Sequence, residues 1–239
     1  MSGQRVLDFD GLVNARDLGG LPAAGGRIRW GAVVRAENPA KLSATGWEGV
    51  WRHGVRTIID LTCEHEAEPD LAPRPAGMTT IRILLDDPSD TEFWARWGGA
   101  HSGTPLYYGP YLDRFPGLVA EAVGALIRAE PGGVLVHCGG GRDRTGLIVL
   151  VLLAALGVSA ADIAEDYALS HRRRAELCAA AGLDDDTARI RAFLAEQGTT
   201  ESRALDEVLT GRDFSDYLRA AGLGDEGIAA LRARLLDPA

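Results

Sequence analysis

Apolar positions along the chain follow two periods. Ile81, Ile83 and Leu85 recur at every second residue, and Val55–Leu61 is rich in β-branched side chains, so Thr79–Leu85 and Val55–Leu61 are predicted strands. Val33-Val34 is the best part of a further strand over Ile28–Arg35, and Val134–His137 is a short apolar one. Leu42–His53 has a helical pattern, with Ser43 or Thr45 as its cap and Gly54 near its end. Leu118, Ala122, Ala125, Leu126 and Ala129 keep helical spacing until Pro131-Gly132-Gly133 stops it. Another helix is predicted from about Thr145 to Leu156, and beyond it the chain is mostly helical, with breaks near Gly157, Gly182, Gly198, Gly211 and Gly222. Gly19–Gly26 and Glu64–Pro75 are predicted loops. Asp86–Pro110, polar but carrying Phe93, Trp94, Trp97, Tyr107 and Tyr108, is expected to be a lid or a binding loop.

Strand–helix alternation over the first two-thirds predicts an α/β fold with parallel strands, and the last third supplies helices packed on or over it. One domain is expected over residues 1–239, with a core at about 10–170 and a helical part at about 171–239. Hydrophobic residues at 46% and charged residues at 25% are the balance of a soluble globular protein. The formal charge of −9 argues against non-specific nucleic-acid binding, which depends on neutralising phosphates. Met1–Gly11 lacks a basic start followed by an apolar stretch. The most apolar run, Leu147–Leu156, is about half of what a membrane span needs. Cys63, Cys138 and Cys178 are too few and too scattered for a disulfide framework or a structural zinc site. A reducing, cytoplasmic setting is the default expectation.

The segment Val134–Gly146 carries the chemistry. A strand ends at Cys138, three glycines follow at 139, 140 and 141, and Arg144 comes as the next helix begins. Glycines allow backbone N–H groups to converge, and a helix N-terminus adds unpaired donors and a positive dipole end. The resulting cradle suits a tetrahedral anion, with the Arg144 fork bonding two of its oxygens. Such surroundings lower the pKa of Cys138 and make its thiolate a nucleophile toward a bound phosphoryl group. Thr145 is placed to bond the sulfur or to assist the later hydrolysis. Neither a nucleotide-hydrolysing P-loop nor a dinucleotide fingerprint fits: no Gly-Lys-Ser/Thr is present, and Arg144 stands where the latter needs glycine.

His137-Cys138, with Arg144-Thr145 closing the loop, resembles the signature of the cysteine-dependent protein phosphatases. The string His137–Gly146 is similar to the atypical bacterial tyrosine/dual-specificity phosphatases, whose loop usually carries Lys-Asp-Arg. Asn14-Ala15-Arg16-Asp17-Leu18-Gly19-Gly20 resembles that family's N-terminal motif. Val34-Arg35, Leu42-Ser43 and Gly54-Val55 match its next stretch, and Phe214–Leu236 its terminal helices. Two positions depart: Arg142 replaces the usual lysine, and Asp60-Leu61-Thr62 replaces Asp-Leu-Arg.

The resemblance implies a cysteine-phosphatase-like central sheet flanked by helices, with a helical C-terminal part acting as a lid. It also implies phosphomonoester hydrolysis through a phosphocysteine, with no cofactor or metal. The expected activity is that of a protein-tyrosine phosphatase, extending to phosphoserine/threonine or phosphoinositides; the substrate is a phosphorylated protein, a phosphoinositide or a small phosphate, and the product is inorganic phosphate. Residues 139–145 would bind the phosphate. The general acid would follow the strand Thr79–Leu85, at Asp86 or Asp87; alternation from Leu85 favours Asp87. Asp143 within the loop and Asp60 at a strand end are further candidates for the acid. His137 is expected to hold the loop by hydrogen bonds, and Arg16 and Arg35 to shape the site, although without the resemblance they and Asp17 read as surface ion pairs. Cys63 and Cys178 are expected to be inert. A non-catalytic phosphate-binding module and a small-metabolite phosphatase are the competing functions, and exported members of the resembled subgroup leave secretion open.

Overall fold

The structure, a computed structural model, describes residues 4–238. Its strands are β1 (Arg16–Asp17), β2 (Pro22–Ala23), β3 (Gly26–Ile28), β4 (Val33–Ala36), β5 (Val55–Asp60), β6 (Thr79–Arg82), β7 (Gly133–His137) and β8 (Leu236–Pro238). Helices α1 (Ala44–His53), α2 (Thr91–Trp97), α3 (Tyr108–Arg114), α4 (Pro116–Arg128) and α5 (Asp143–Ala155) alternate with them. Then come α6 (Ala160–Arg172), α7 (Arg174–Ala181), α8 (Thr187–Glu196), α9 (Glu201–Thr210), α10 (Phe214–Leu218) and α11 (Gly224–Leu235).

The central sheet has the order β1-β4-β7-β5-β6, and only β1 runs antiparallel to its neighbour. Parallel strands must be covered on both faces, which is why β7 is buried at every position. Asp60 at the end of β5 lies in register with His137 at the end of β7. Both chains therefore emerge at the carboxyl edge of the sheet, where ligands bind in open α/β folds. Helix α5 starts immediately beyond and is buried on nearly all sides, so its apolar run is a core helix. α1 begins at Ser43, whose side chain accepts the Gly46 N–H, and ends at Gly54 with φ of 104°, as its pattern predicts.

Several boundaries differ from the sequence expectations. Ile28–Arg35 is two strands: β3 joins a small sheet with β2 and β8, while β4 enters the central sheet. The turn between them contains Gly31 at φ 74°, and the buried Asp17 carboxylate accepts the N–H groups of Gly19 and Gly31. The predicted loop Gly19–Gly26 accordingly contains β2 and the turn into β3, which pair as a hairpin. The strand expected to reach Leu85 ends at Arg82, because the chain beyond it turns into the core, where the Tyr111 hydroxyl donates to the Leu85 carbonyl. Asp86–Pro110 is not one loop: Asp90 caps α2, and Phe93, Tyr107 and Tyr108 join the core. α5 begins at Asp143 rather than Thr145, so Asp143 and Arg144 lie in its first turn.

The C-terminal helices divide in two. Leu205, Phe214, Leu218, Ile228, Leu231 and Leu235 join the central core, and β8 pairs with β3. Of these helices, α7 and α8 line cavities shared with the loop after β7. No helix among the described residues is long and apolar enough to cross a membrane.

Candidate active site

Cys138 leaves β7 and is buried, yet it lines a cavity of about 390 Å³ shared with Arg144, Asp86, Asp143, Glu66 and Cys63. The loop from 139 to 142 is held from outside. The Gly139 carbonyl accepts the Asn38 N–H at 2.9 Å, Gly140 accepts Asn14 Nδ2 at 3.0 Å, and Gly141 accepts Arg35 Nη2 at 2.8 Å. In a trans peptide the N–H points opposite the carbonyl, so fixing these carbonyls outward turns the next amides inward. Among the described residues none of the N–H groups of 139–144 donates to a backbone acceptor. Of the three glycines only Gly141 has a positive φ, at 66°, so the expectation that all three need glycine's freedom reduces to one.

Arg144 lines the same cavity. Its Nη1 and Nη2 donate to the two Glu66 oxygens at 2.5 Å each, and Nη1 lies 3.2 Å from Asp86. The hydrogen bonds from Arg144 hold the Glu66 carboxylate down to about 2. Burial pushes the Asp86 pKa up, and although Arg144 opposes this, the net shift is upward. Trp94 and Tyr107 give the cavity aromatic walls.

The expected acids are placed differently from one another. Asp87 does not line the cavity; its carboxylate accepts the Ser89 N–H and hydroxyl, closing a turn. Alternation fails here because the strand has already ended. Asp86 and Asp143 both face the cavity, with Asp143 accepting from Arg142 Nε at 3.1 Å. Asp60 is committed elsewhere: it accepts from Thr62 and from Arg82, and its pKa is lowered because burial, which raises it, is outweighed by those bonds and by His137.

Arg142 does not line the Cys138 cavity; it donates to the Gly103 carbonyl at 2.8 Å beside a neighbouring cavity between the loop and α8. Thr145 is fully buried with its hydroxyl unpartnered among the described residues. His137 Nδ1 lies 3.3 Å from the Cys138 carbonyl, and burial drives its pKa down to about 4. Arg16, Asp17 and Arg35 are not surface ion pairs; all are buried. Cys178 is buried, but Cys63 is a wall residue of the cavity, its thiol pKa raised by burial and by Asp86.

Sequence reasoning missed Glu66 and Asp166. Glu66 sits in an acidic run just past a strand's carboxyl end, which is the signal that marks it. Asp166 carries no local signal, since its partners lie some 130 to 150 residues away.

Comparison with known proteins shows the family. The chain is 33% identical over 194 residues to a provisionally named tyrosine-protein phosphatase of Cupriavidus necator, covering 74% of this chain and 67% of that protein. It is 29% identical over 141 residues to a tyrosine-protein phosphatase of Nostoc commune, covering 58% and 48%. It is 24% identical to the triple specificity protein phosphatase PtpB of Mycobacterium tuberculosis, covering 97% and 99%. With residues 7–237 matching the profile of the tyrosine phosphatase family, the chain belongs to that family.

Proposed function

We propose that the protein hydrolyses phosphotyrosine by double displacement through Cys138. The carrying observation is the loop after Cys138, whose Gly139, Gly140 and Gly141 carbonyls are tied outward beside a cysteine and an arginine sharing one cavity. A phosphoryl dianion seated there meets inward amides, the N-terminus of α5 and the Arg144 fork. Cys138 Sγ attacks phosphorus, an S–P bond forms, and the ester P–O bond breaks. The amides and Arg144 stabilise charge on the equatorial oxygens. Asp86 supplies the proton to the leaving oxygen. Water then attacks the phosphocysteine, its proton returns to Asp86, and the S–P bond breaks to release inorganic phosphate.

Asp86 is preferred over Asp87 because it faces the cavity and its raised pKa favours the protonated form an acid needs. Asp143 is the alternative. The aromatic walls at Trp94 and Tyr107 suit a phenyl phosphate. Likeness to a triple specificity phosphatase supports activity beyond phosphotyrosine as a second reading.

The test is p-nitrophenyl phosphate hydrolysis in excess EDTA, for wild type and Cys138→Ser. The wild type is expected to turn over and the variant to lose at least about 10³-fold. Equal turnover in the two would reject the mechanism. Asp86→Asn and Asp143→Asn are compared on good and poor leaving groups; the true acid loses more on the poor one. A larger selective loss in Asp143→Asn would move the role there. Phosphopeptides, phosphoinositides and small phosphates then rank the substrates.

A further inference from the structure

Asp166, in the middle of α6, is fully buried and makes no contact with the Cys138 cavity. Arg16 Nε donates to its Oδ1 at 3.0 Å, and Arg35 Nη1 donates to its Oδ2 at 2.7 Å. Burial pushes the carboxyl toward its neutral form, but Arg16 and Arg35 outweigh that and hold it well below the usual carboxylate range. Both arginines continue to the phosphate loop. Arg35 Nη2 donates to the Gly141 carbonyl at 2.8 Å. Arg16 Nη1 donates to Asn14 Oδ1 at 2.8 Å, and Asn14 Nδ2 passes the contact on to the Gly140 carbonyl at 3.0 Å. One carboxylate thus anchors two lines that end on successive carbonyls of the loop.

We infer that Asp166, through Arg35 and the Arg16–Asn14 pair, is the positioning group that fixes the orientation of the Gly140–Gly141 and Gly141–Arg142 peptides. The inference rests on the phosphate-cradle reading of this loop. The physical reason is the geometry of the peptide plane. With both carbonyls held outward, the Gly141 and Arg142 N–H groups are committed inward before any anion arrives. No reorganisation is then needed when charge develops on the phosphoryl oxygens. A free loop of glycines would instead sample both peptide orientations. Arginine is needed at 35 because one nitrogen holds Asp166 while another holds Gly141. A lysine has a single nitrogen and cannot span the two with the same geometry. The carboxylate matters because it neutralises the buried guanidinium groups and aims them.

The test uses Asn14→Ala, Arg35→Lys and Asp166→Asn in the full chain, with Cys138→Ser alongside. Three readouts are taken: tungstate binding by calorimetry, the kcat and KM of p-nitrophenyl phosphate hydrolysis, and the pH at half-maximal alkylation of Cys138 by iodoacetamide. Thermal unfolding fixes the folded fraction of each variant. Arg35→Lys and Asp166→Asn are expected to weaken tungstate binding about tenfold or more, lower kcat and raise the alkylation midpoint. Asn14→Ala, which frees one carbonyl only, is expected to show the same pattern at smaller size. If Asp166→Asn fails to fold, Asn14→Ala and Arg35→Lys decide the matter. Folded variants with unchanged tungstate affinity and alkylation midpoint overturn the inference, as do losses that merely track the unfolded fraction. Tungstate binding needs no turnover, so it judges the clamp separately from the nucleophile. Wild-type turnover by Cys138→Ser instead refutes the catalytic assignment.

Discussion

Replacing Gly141 by alanine tests the cradle at its most constrained point. Gly141 has φ of 66°, which costs an L-residue about 1–2 kcal/mol. Its missing Cβ would stand 2.3 Å from the Ala36 carbonyl oxygen, 2.4 Å from the Ala36 carbonyl carbon and 2.5 Å from the Glu37 nitrogen. All three are backbone atoms of the chain leaving β4, so they have no rotamer by which to yield. The loop must retreat by roughly 1 Å to reach ordinary contact, a displacement that costs about 10² in rate when it misaligns reacting groups. Gly139 is the matched control, since a Cβ there would meet Glu66 Oε1 at 3.6 Å and Arg144 Nη2 at 3.9 Å, both ordinary contacts. Gly141→Ala is therefore expected to lose about 10² in kcat/KM on p-nitrophenyl phosphate and about 1–2 kcal/mol in urea unfolding. Gly139→Ala is expected to keep wild-type stability and to lose less than tenfold. Gly141→Ala activity within threefold of wild type, or equal losses in the two variants, would refute the claim that the loop is braced against β4.

Glu66→Gln removes the charged partner of Arg144 from a half-exposed site. The expected result is about a tenfold fall in kcat with no weakening of tungstate binding, since a negative charge leaves the anion site as the fork loses its guide; steady-state kinetics and calorimetry check it. Stability should fall on acidification through His137. Burial depresses its folded pKa to about 4, so below its ordinary value of 6.5 the unfolded chain takes up a proton that the folded one refuses. That contribution is complete above pH 6.5 and lost progressively toward pH 4, by up to about 3 kcal/mol. Urea titrations at pH 7.5 and pH 5 measure it, and His137→Asn should reduce the difference.

The signals that worked were local. Ser43 and Gly54 bound α1 because a cap and a left-handed stop act within one turn. The period-2 positions Ile81 and Ile83 and the β-branched run Val55–Leu61 located two neighbouring parallel strands. Cys138, the glycines and Arg144 lie within a few residues of each other, and the fold keeps Cys138, Gly140 and Arg144 around one cavity. Reasoning failed where the period was extrapolated past its element. Alternation carried from Leu85 to Asp87 assumed a strand that ends at Arg82, and the carboxyl facing the cavity is that of Asp86. It also failed at Arg16 and Arg35, whose charges suggest surface but whose partner, Asp166, arrives from a distant helix to make burial tolerable.

The order of residues by itself determined the α/β class and the strand-to-helix turn after Cys138, because backbone period, caps and glycines act over a turn or two. Only the tertiary structure decided which carboxyls face the cavity, that Glu66 meets Arg144, and that Asp166 steadies the loop through two arginines. Those contacts join residues separated by tens to more than a hundred positions, and their geometry exists only once the parallel sheet has brought the ends of β5 and β7 side by side.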